Sequence, residues 1–284
     1  MYKFALIGYP VSQSLSQVIH RAALNSLGLE GDYELLLTPS EDLVDRIKYL
    51  KSNAYDGVNV TIPLKVPVTL FLDAFDKVAD VAGSANTIKF SSDGSMTGYN
   101  TDVYGFYQAI PNKMRTELAG KKIAILGAGG AARAIVVSLV QLNIGSIDFY
   151  VRNVVNAHDV VENIRKYCPS LEVNLRQIQS LSDLSSYAML VNTTPVGMIN
   201  KSMGLSPVDE RTLNTLSDNA VVYDIVYNPI KTELLRIAQK RGLRTISGLD
   251  MLVYQAQKSF EIWTGKLPDF KDMKIAALEA LLER

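Results

Sequence analysis

The sequence predicts an α/β fold with two domains, one of which contains a parallel sheet. A β-rich apolar run stops at Gly127, three glycines fall within four residues, and helix formers take over at Ala131. Strand-like apolar segments alternate with helical segments along the chain, which is typical of α/β proteins. The length of 284 residues suits two ordinary domains, and 48% hydrophobic residues supply enough apolar surface for two cores.

Composition and charge exclude several classes of protein. Lysine plus arginine equals aspartate plus glutamate, 29 each, so no charge excess indicates a nucleic acid or anionic membrane partner. Cys168 is the single cysteine, and His20 and His158 are the two histidines, so we expect neither a disulfide nor a metal site. His20 is interpreted as a structural histidine. The first apolar run breaks at residues 8–10, too early for a signal peptide, and we expect a cytoplasmic protein.

The first predicted strand covers residues 4–8 and leads into a loop with two serines. Ser14 and Ser16 are separated by one residue, so both hydroxyls can face one way on an extended segment. A helix follows to about Leu27. The alternative is structural, because Ser14 with Gln17 has the spacing of a capping box, and the sequence leaves the two interpretations open.

A second strand is predicted at residues 33–38, followed by a helix that Ser40 caps. Leu43, Ile47 and Leu50 give this helix one apolar stripe. The next strand lies within residues 57–65. Alternation puts Asn59 and Thr61 on one face. The opposite face comprises Val58, Val60 and Ile62. Pro63 ends the strand just before Lys65, a lysine that either serves the site or is solvated surface.

A hairpin is predicted next. One strand begins within residues 83–88, Asp93 and Gly94 form the turn, and the return strand leads to Asp102. Asn86 and Asp102 are polar candidates at the two ends of this hairpin. Each also has a structural alternative, because Asn86 suits a turn and Asp102 suits a helix N-cap. Residues 111–120 are polar and predict an irregular linker.

The glycine-rich stretch predicts a nucleotide-binding turn. Gly127, Gly129 and Ala132 fit the dinucleotide-binding pattern, with alanine in the third place. Gly127 allows a sharp turn out of the strand, and Gly129 allows the backbone to approach a pyrophosphate at the helix N-terminus. The alternative is a tight turn without a ligand.

The strand at residues 146–151 ends where the ribose of the adenosine would bind. An acidic residue at this tip would bind the free hydroxyl of NAD, but Asp148 lies within the strand. Arg152 stands at the tip instead, and a guanidinium matches the phosphate of NADP. The alternative is a solvated arginine.

Two later strands, at residues 189–191 and 221–226, run into polar loops that contain proline. Ligands of open parallel sheets bind beside such loops. A helix from Thr232 to Gly242 follows. The next helix begins near residue 248, where Met251 and Gln255 share one face, and a last amphipathic helix ends the chain.

Taken together, these segments resemble the shikimate dehydrogenase family over nearly the full length of the chain. The resemblance rests on residues 8–20, 57–65, 83–88, 98–102, 127–133, 192–198, 224–229 and 248–265. It implies a discontinuous α/β substrate-binding catalytic domain, residues 1–105 plus 245–284. Residues 106–244 then form a Rossmann-like domain with a parallel sheet that binds NADP.

The resemblance also implies roles for individual residues. Lys65 and Asp102 would form the catalytic pair. The substrate would be bound by Ser14, Ser16, Asn59, Thr61, Asn86, Tyr227 and Gln255. The cofactor would be bound by Gly127, Ala128, Gly129, Gly130, Ala131, Arg152, Thr193, Met198, Val226, Gly248 and Met251. No metal is implied, and the chain is expected to be a monomer or homodimer.

The implied reaction is the reversible, NADP-linked reduction of 3-dehydroshikimate to shikimate in aromatic amino-acid biosynthesis. A ketone that accepts hydride needs a proton, which a lysine ammonium can donate. Val151 and Asn153 depart from the usual residues around Arg152, which keeps NAD possible. The alternatives are therefore an NAD-preferring quinate/shikimate dehydrogenase acting oxidatively and a non-catalytic, redox-sensing nucleotide-binding protein. Retention of Lys65 and Asp102 argues against the second.

Overall fold

The computed structural model describes residues 1–199 and 201–283. The chain forms two compact units, Met1–Gly105 with Val253–Arg284, and Phe106–Leu252. The strands are β1 Tyr2–Gly8, β2 Gly31–Leu37, β3 Gly57–Val60, β4 Ala74–Phe75, β5 Thr87–Phe90, β6 Met96–Tyr99, β7 Lys122–Leu126, β8 Ser146–Val151, β9 Glu172–Gln177, β10 Met189–Asn192, β11 Val221–Asp224 and β12 Arg244–Ser247. The helices are α1 Ser16–Ser26, α2 Leu43–Ser52, α3 Lys77–Ala82, α4 Asp102–Ala109, α5 Asn112–Glu117, α6 Gly130–Gln141, α7 His158–Tyr167, α8 Glu210–Leu213, α9 Glu233–Lys240, α10 Gly248–Thr264 and α11 Phe270–Leu282.

The first unit contains a mixed six-stranded sheet in the order β2-β1-β3-β5-β6-β4. β1 pairs in parallel with β2 and β3, whereas β5 is antiparallel to both β3 and β6. This register puts Asn59 opposite Thr87 and Thr87 opposite Tyr99. Polar residues at the ends of β3, β5 and β6 therefore gather at one edge of the sheet.

The apolar pattern of this unit is mostly as predicted. The stripe of α2 is confirmed, since Leu43, Ile47 and Leu50 are buried. Val58 is also buried in the sheet. Ile62 is 53% exposed, so the predicted apolar face does not extend to it. β3 ends at Val60, and the alternation of a strand no longer applies beyond that point.

The second unit contains a fully parallel six-stranded sheet in the order β12-β11-β10-β7-β8-β9. Counted from β7 along the chain, this is the order 3-2-1-4-5-6 of the dinucleotide-binding fold. Apolar clusters cover both faces of the sheet, as parallel strands require. The predicted α/β class with a Rossmann-like parallel sheet is confirmed. The strand order reverses between β7 and β10, where such sheets bind their ligands.

Two regions differ from expectation. The predicted irregular linker at residues 111–120 contains the helix α5, and its C-cap residue Leu118 is buried against the core of the second unit. Residues 245–247, expected in the substrate domain, lie in β12, which pairs with β11. That sheet pairing places them in the second unit, which also includes residues 248–252 of the expected substrate domain. Among the described residues, none of the helices has the length and hydropathy needed to cross a membrane.

Candidate active site

A lysine–aspartate ion pair lies in the first unit. Lys65 follows β3, and Asp102 is the first residue of α4. Lys65 Nζ lies 2.5 Å from Asp102 Oδ2, and the side chains are only 15% and 6% exposed. An ion pair that is this well shielded from water is screened weakly, so each charge fixes the orientation of the other.

Asn86 supports the aspartate of this pair. Its Nδ2 donates to Asp102 Oδ1 at 2.9 Å, and it also lies 2.9 Å from Thr101 Oγ1 and 3.2 Å from Gln255 Oε1. Its Oδ1 accepts from the Thr101 backbone N–H at 2.8 Å. Asn86 immediately precedes β5, and Gln255 lies on α10. The fold thus brings together four candidates from distant segments: Lys65, Asn86, Asp102 and Gln255.

Asn59 lies one step further into the core. Tyr33 donates its phenol proton to Asn59 Oδ1 at 2.8 Å. Asn59 Nδ2 lies within 3.2 Å of the backbone oxygen of Asn86 and within 3.1 Å of the hydroxyls of Thr87 and Ser259. Asn59 is 4% exposed. The side chain predicted to bind a substrate hydroxyl is therefore committed to partners inside the protein.

The two serines of the first loop bond to each other. Ser14 Oγ donates to Ser16 Oγ at 3.0 Å and accepts from the Ser16 backbone N–H at 3.1 Å. The alternative of a capping box is wrong, because the N-cap of α1 is Leu15 and makes no side-chain cap. Gln17 instead donates to the backbone oxygen of Tyr33 at 2.7 Å. Thr61, just past β3, is half-buried.

The glycine-rich turn of the second unit has the features that a pyrophosphate needs. Gly127 has φ +95°, a backbone conformation that favours glycine. Gly129 is the N-cap of α6 without any side-chain cap, so N–H groups of the first turn have no partner within the helix. A Cβ on Gly129 would meet nothing within 4 Å. The turn, with Ala128, Gly130 and Ala131, therefore leaves space and donors for an anion, and it fits a dinucleotide.

The tip of β8 carries arginine and no acid. Arg152 is exposed directly after the strand. Asp148 is fully buried inside β8, where Tyr187 donates to it at 2.6 Å and Arg176 at 2.8 Å. Burial alone raises the pKa of Asp148, but the hydrogen bonds from Tyr187, Asn174 and neighbouring cations outweigh burial and lower it. An aspartate held in this way is not available to a ribose.

A buried carboxyl fixes the loop after β10. Asn192 Nδ2 donates to Asp224 Oδ1 at 2.9 Å, and Asn192 Oδ1 accepts from the backbone and hydroxyl of Thr194. Asp224 also accepts from Thr232 Oγ1 at 2.6 Å and from the Val226 backbone at 3.1 Å. Burial raises the pKa of Asp224 to about 6. Asp224 and Asn192 therefore fix the backbone conformation just after the ends of β10 and β11.

The remaining candidates of the second unit lie on these loops and on α10. Thr193 Oγ1 donates to the Leu126 backbone at 2.6 Å, and Met198 and Tyr227 are half-buried. A Cβ on Gly248 would lie 2.1 Å from the backbone oxygen of Ile225, so that position requires glycine. Val226 and Met251 are buried, at 2% and 7% exposure. Met251 belongs to an apolar core cluster.

Comparisons with known proteins agree with this geometry. Residues 6–88 match the family model of the shikimate dehydrogenase substrate binding domain, and residues 248–278 match that of the shikimate 5'-dehydrogenase C-terminal domain. A shikimate dehydrogenase (NADP(+)) of Geobacillus kaustophilus is 38% identical over 282 residues, which cover 98% of each chain. The chain belongs to the shikimate dehydrogenase family.

Solved structures of the family superpose over nearly the whole chain. A shikimate 5-dehydrogenase from Thermus thermophilus, in complex with NADP(H) and shikimate, is 34% identical with a TM-score of 0.84, covering 99% of this chain and 100% of that one. A quinate dehydrogenase from Corynebacterium glutamicum, in complex with NAD, is 27% identical with a TM-score of 0.88, covering 98% and 99%. The family thus includes members named for both substrates and both cofactors.

Several residues that support the candidate residues within each unit were not singled out from the sequence. They are Thr87, Thr101, Ser259, Asn192 and Asp224. Ser259 lies four residues after Gln255 on α10, which puts both on one helix face, and this spacing is the signal that could have found it. In the described part of the chain, no group of three or more His, Cys, Asp or Glu side chains could hold a metal ion.

Proposed function

We propose that this chain catalyses the reversible, NADP-linked reduction of 3-dehydroshikimate to shikimate in aromatic amino-acid biosynthesis. The observation that carries the proposal is the shielded contact between Lys65 and Asp102, backed by Asn86. Membership of the shikimate dehydrogenase family supports it, together with relatives named for NADP(+) at 34–38% identity.

Lys65 supplies the proton. NADPH, when bound, provides the hydride for the ketone carbon. The carbonyl oxygen gains negative charge as that transfer proceeds, and an ammonium beside the oxygen stabilises the charge and donates a proton. Asp102 accepts from Lys65 through Oδ2 and thereby orients the ammonium. In the oxidative direction, the neutral amine of the same lysine takes the hydroxyl proton and becomes the ammonium again.

The substrate is recognised by fixed polar groups. Ser14 and Ser16 present their hydroxyls at the start of α1, where helix N–H groups favour the substrate carboxylate. Gln255 and Thr61 take ring hydroxyls, whereas Asn86, which is 2% exposed and bonded through both of its polar atoms, orients Asp102. Asn59 does not contact the substrate directly, because its amide is bonded to Tyr33 and Ser259. It supports the residues that do. An analogue that lacks one hydroxyl leaves a polar group unpaired, which costs affinity.

The second unit holds NADP. The backbone from Gly127 to Ala131 binds the pyrophosphate at the N-terminus of α6, and Arg152 binds the phosphate on the ribose. The surface that contacts the nicotinamide is formed by the loops after β10 and β11 and by the start of α10. The residues concerned are Thr193, Met198, Val226, Gly248 and Met251. Because Met251 and Val226 are buried, they contribute through their backbone atoms and by packing beneath this surface.

A second candidate is NAD-linked oxidation of quinate or shikimate. The similarity to the quinate dehydrogenase in complex with NAD favours it, and so does the single exposed arginine at the tip of β8. Initial rates on shikimate and on quinate, each with NADP and with NAD, separate the two. We expect the highest kcat/KM for shikimate with NADP. A higher value for quinate with NAD would replace the main proposal.

We also infer a cytoplasmic monomer or homodimer that acts on small molecules without nucleic acid or membrane. The balanced charge supports the absence of nucleic acid. Light scattering on the purified chain measures the mass in solution and contradicts the proposal if larger assemblies dominate.

A further inference from the structure

Three buried hydroxyls lie together behind the catalytic pair, and we call Thr87, Thr101 and Ser259 the hydroxyl cluster. Thr87 Oγ1 lies 2.7 Å from Ser259 Oγ, Thr101 Oγ1 lies 3.0 Å from Ser259 Oγ, and the two threonine oxygens are 3.3 Å apart. Each residue is at most 2% exposed. Three hydroxyls in mutual contact occupy the meeting point of β5, α4 and α10.

The cluster connects to the catalytic pair through Asn86. Thr101 Oγ1 lies 2.9 Å from Asn86 Nδ2, and Thr87 Oγ1 donates to Asn86 Oδ1 at 3.0 Å. Asn86 in turn donates to Asp102 Oδ1. Because both polar atoms of Asn86 are engaged, the amide cannot flip without breaking bonds on both sides. Its N–H groups therefore stay directed at the carboxylate.

Ser259 anchors the cluster to the helix. Its hydroxyl donates to the Gln255 backbone oxygen at 2.9 Å, which leaves its oxygen to accept from Asn59 Nδ2 at 3.1 Å and from a threonine of the cluster. Ser259 is 0% exposed, so it does not touch a ligand that enters from solvent. Any influence on the reaction must act through its neighbours.

We propose that Ser259 is a positioning residue. Through the hydroxyl cluster it holds Asn86, and thereby Asp102 and Lys65, in the geometry that proton transfer requires. This inference rests on the proposed function. A buried and fully bonded polar network of this kind specifies one arrangement of its members. Loss of one hydroxyl lets Asn86 shift, and small displacements of reacting groups lower the rate without removing binding contacts.

The primary test is Ser259→Ala, which removes the hydroxyl with little change in volume. We expect kcat for shikimate oxidation to fall about tenfold, with a smaller change in KM. Ser138→Ala is the matched control. Ser138 is also a fully buried helical serine, in α6, and its hydroxyl has no hydrogen-bond partner among the residues that the structure describes. We expect it to leave kcat unchanged, and an unchanged kcat in Ser259→Ala would overturn the proposal.

The second test asks whether Ser259 acts through Asp102. In an Asp102→Asn background, the Ser259→Ala change should lower kcat little further, because coupled groups are non-additive. A purely structural serine would lower kcat by the same factor in both backgrounds, and that result would also overturn the proposal.

A second pair of variants covers poor folding of Ser259→Ala. Thr87→Val keeps the shape of the side chain without its hydroxyl, whereas Thr87→Ser keeps the hydroxyl. We expect Thr87→Val to lower kcat and Thr87→Ser to restore it, and equal rates for the two would contradict the proposal. A wild-type chain inactive on shikimate and quinate with both cofactors would instead refute the proposed function, so the two failures are distinguishable.

Discussion

Asn192 and Asp224 face each other on neighbouring parallel strands, in direct register, and their side chains are joined by a 2.9 Å hydrogen bond. Asp224 is fully buried, and burial raises its pKa to about 6 from an ordinary value near 3.8. A carboxyl at the carboxyl ends of β10 and β11 is therefore coupled to the stability of the fold.

The first prediction concerns stability and pH. The pKa of Asp224 is higher in the folded chain than in the unfolded one, so between about pH 4 and pH 6 the folded state binds more protons. The stabilisation that follows from this raised pKa is roughly 3 kcal/mol. It is fully present below about pH 4 and is lost as the pH rises through 6. We expect Asp224→Asn to gain stability relative to wild type over that range. Urea unfolding from pH 4 to 8 measures the difference in free energy of unfolding between the two proteins. A difference that does not change with pH contradicts the prediction.

The second prediction concerns proton transfer. Lys65→Ala should lower kcat by roughly 10² to 10⁴, the range for an acid–base group, with little change in substrate affinity. Lys89→Ala is the control, because Lys89 donates to the Ile262 backbone at 2.7 Å in the same unit and has no role in the proposed reaction. Steady-state kinetics on both variants decide. Near wild-type turnover in Lys65→Ala rules out the acid–base role.

The third prediction concerns cofactor choice. Arg152→Ala should raise KM for NADP much more than KM for NAD, because in the proposed function the guanidinium pairs with a phosphate that only NADP carries. Arg176→Ala is a suitable comparison, since Arg176 is bonded to Asp148 on the neighbouring strand. Equal changes for the two cofactors in Arg152→Ala would remove the argument for NADP.

The fourth prediction separates folding from cofactor binding at Gly129. A Cβ there meets no protein atom within 4 Å, and φ is −82°, so Gly129→Ala should keep the melting temperature close to that of wild type. The added methyl would occupy the space that we propose for the pyrophosphate, so NADP binding should weaken. Calorimetric titration with NADP measures it. Unchanged affinity would show that the backbone here does not approach the cofactor.

Four of the six strands in the sheet of the second unit, β7, β8, β10 and β11, were predicted from the sequence, whereas β9 and β12 were not. Strand β8 has the predicted bounds, residues 146–151, because most of its residues are β-branched or aromatic, which favours a strand. The turn at Gly127 was equally visible, since its positive φ favours glycine. Helix α5 was missed because its residues are mostly polar, and it is the buried Leu118 that joins this segment to the core.

The neighbours of the candidate residues could not be predicted. Asn59 was correctly placed on a polar face, but only the antiparallel pairing of β3 with β5 puts Thr87 opposite it. The bond between Asn192 and Asp224 likewise depends on sheet order, which puts β10 beside β11. Ser259 lies 172 residues from Thr87, and no local pattern records a contact over that separation.

The hydrogen-bonded support behind Asp102 consists of amides, alcohols and one phenol. Burial raises the pKa of Tyr33, and it lowers the pKa of His20, which stacks on the Tyr33 ring, to about 3. Neither ring changes charge near neutral pH. The hydrogen-bonded support behind Asp102 therefore keeps a single charge state across the physiological pH range, and its geometry around the carboxylate does not depend on pH.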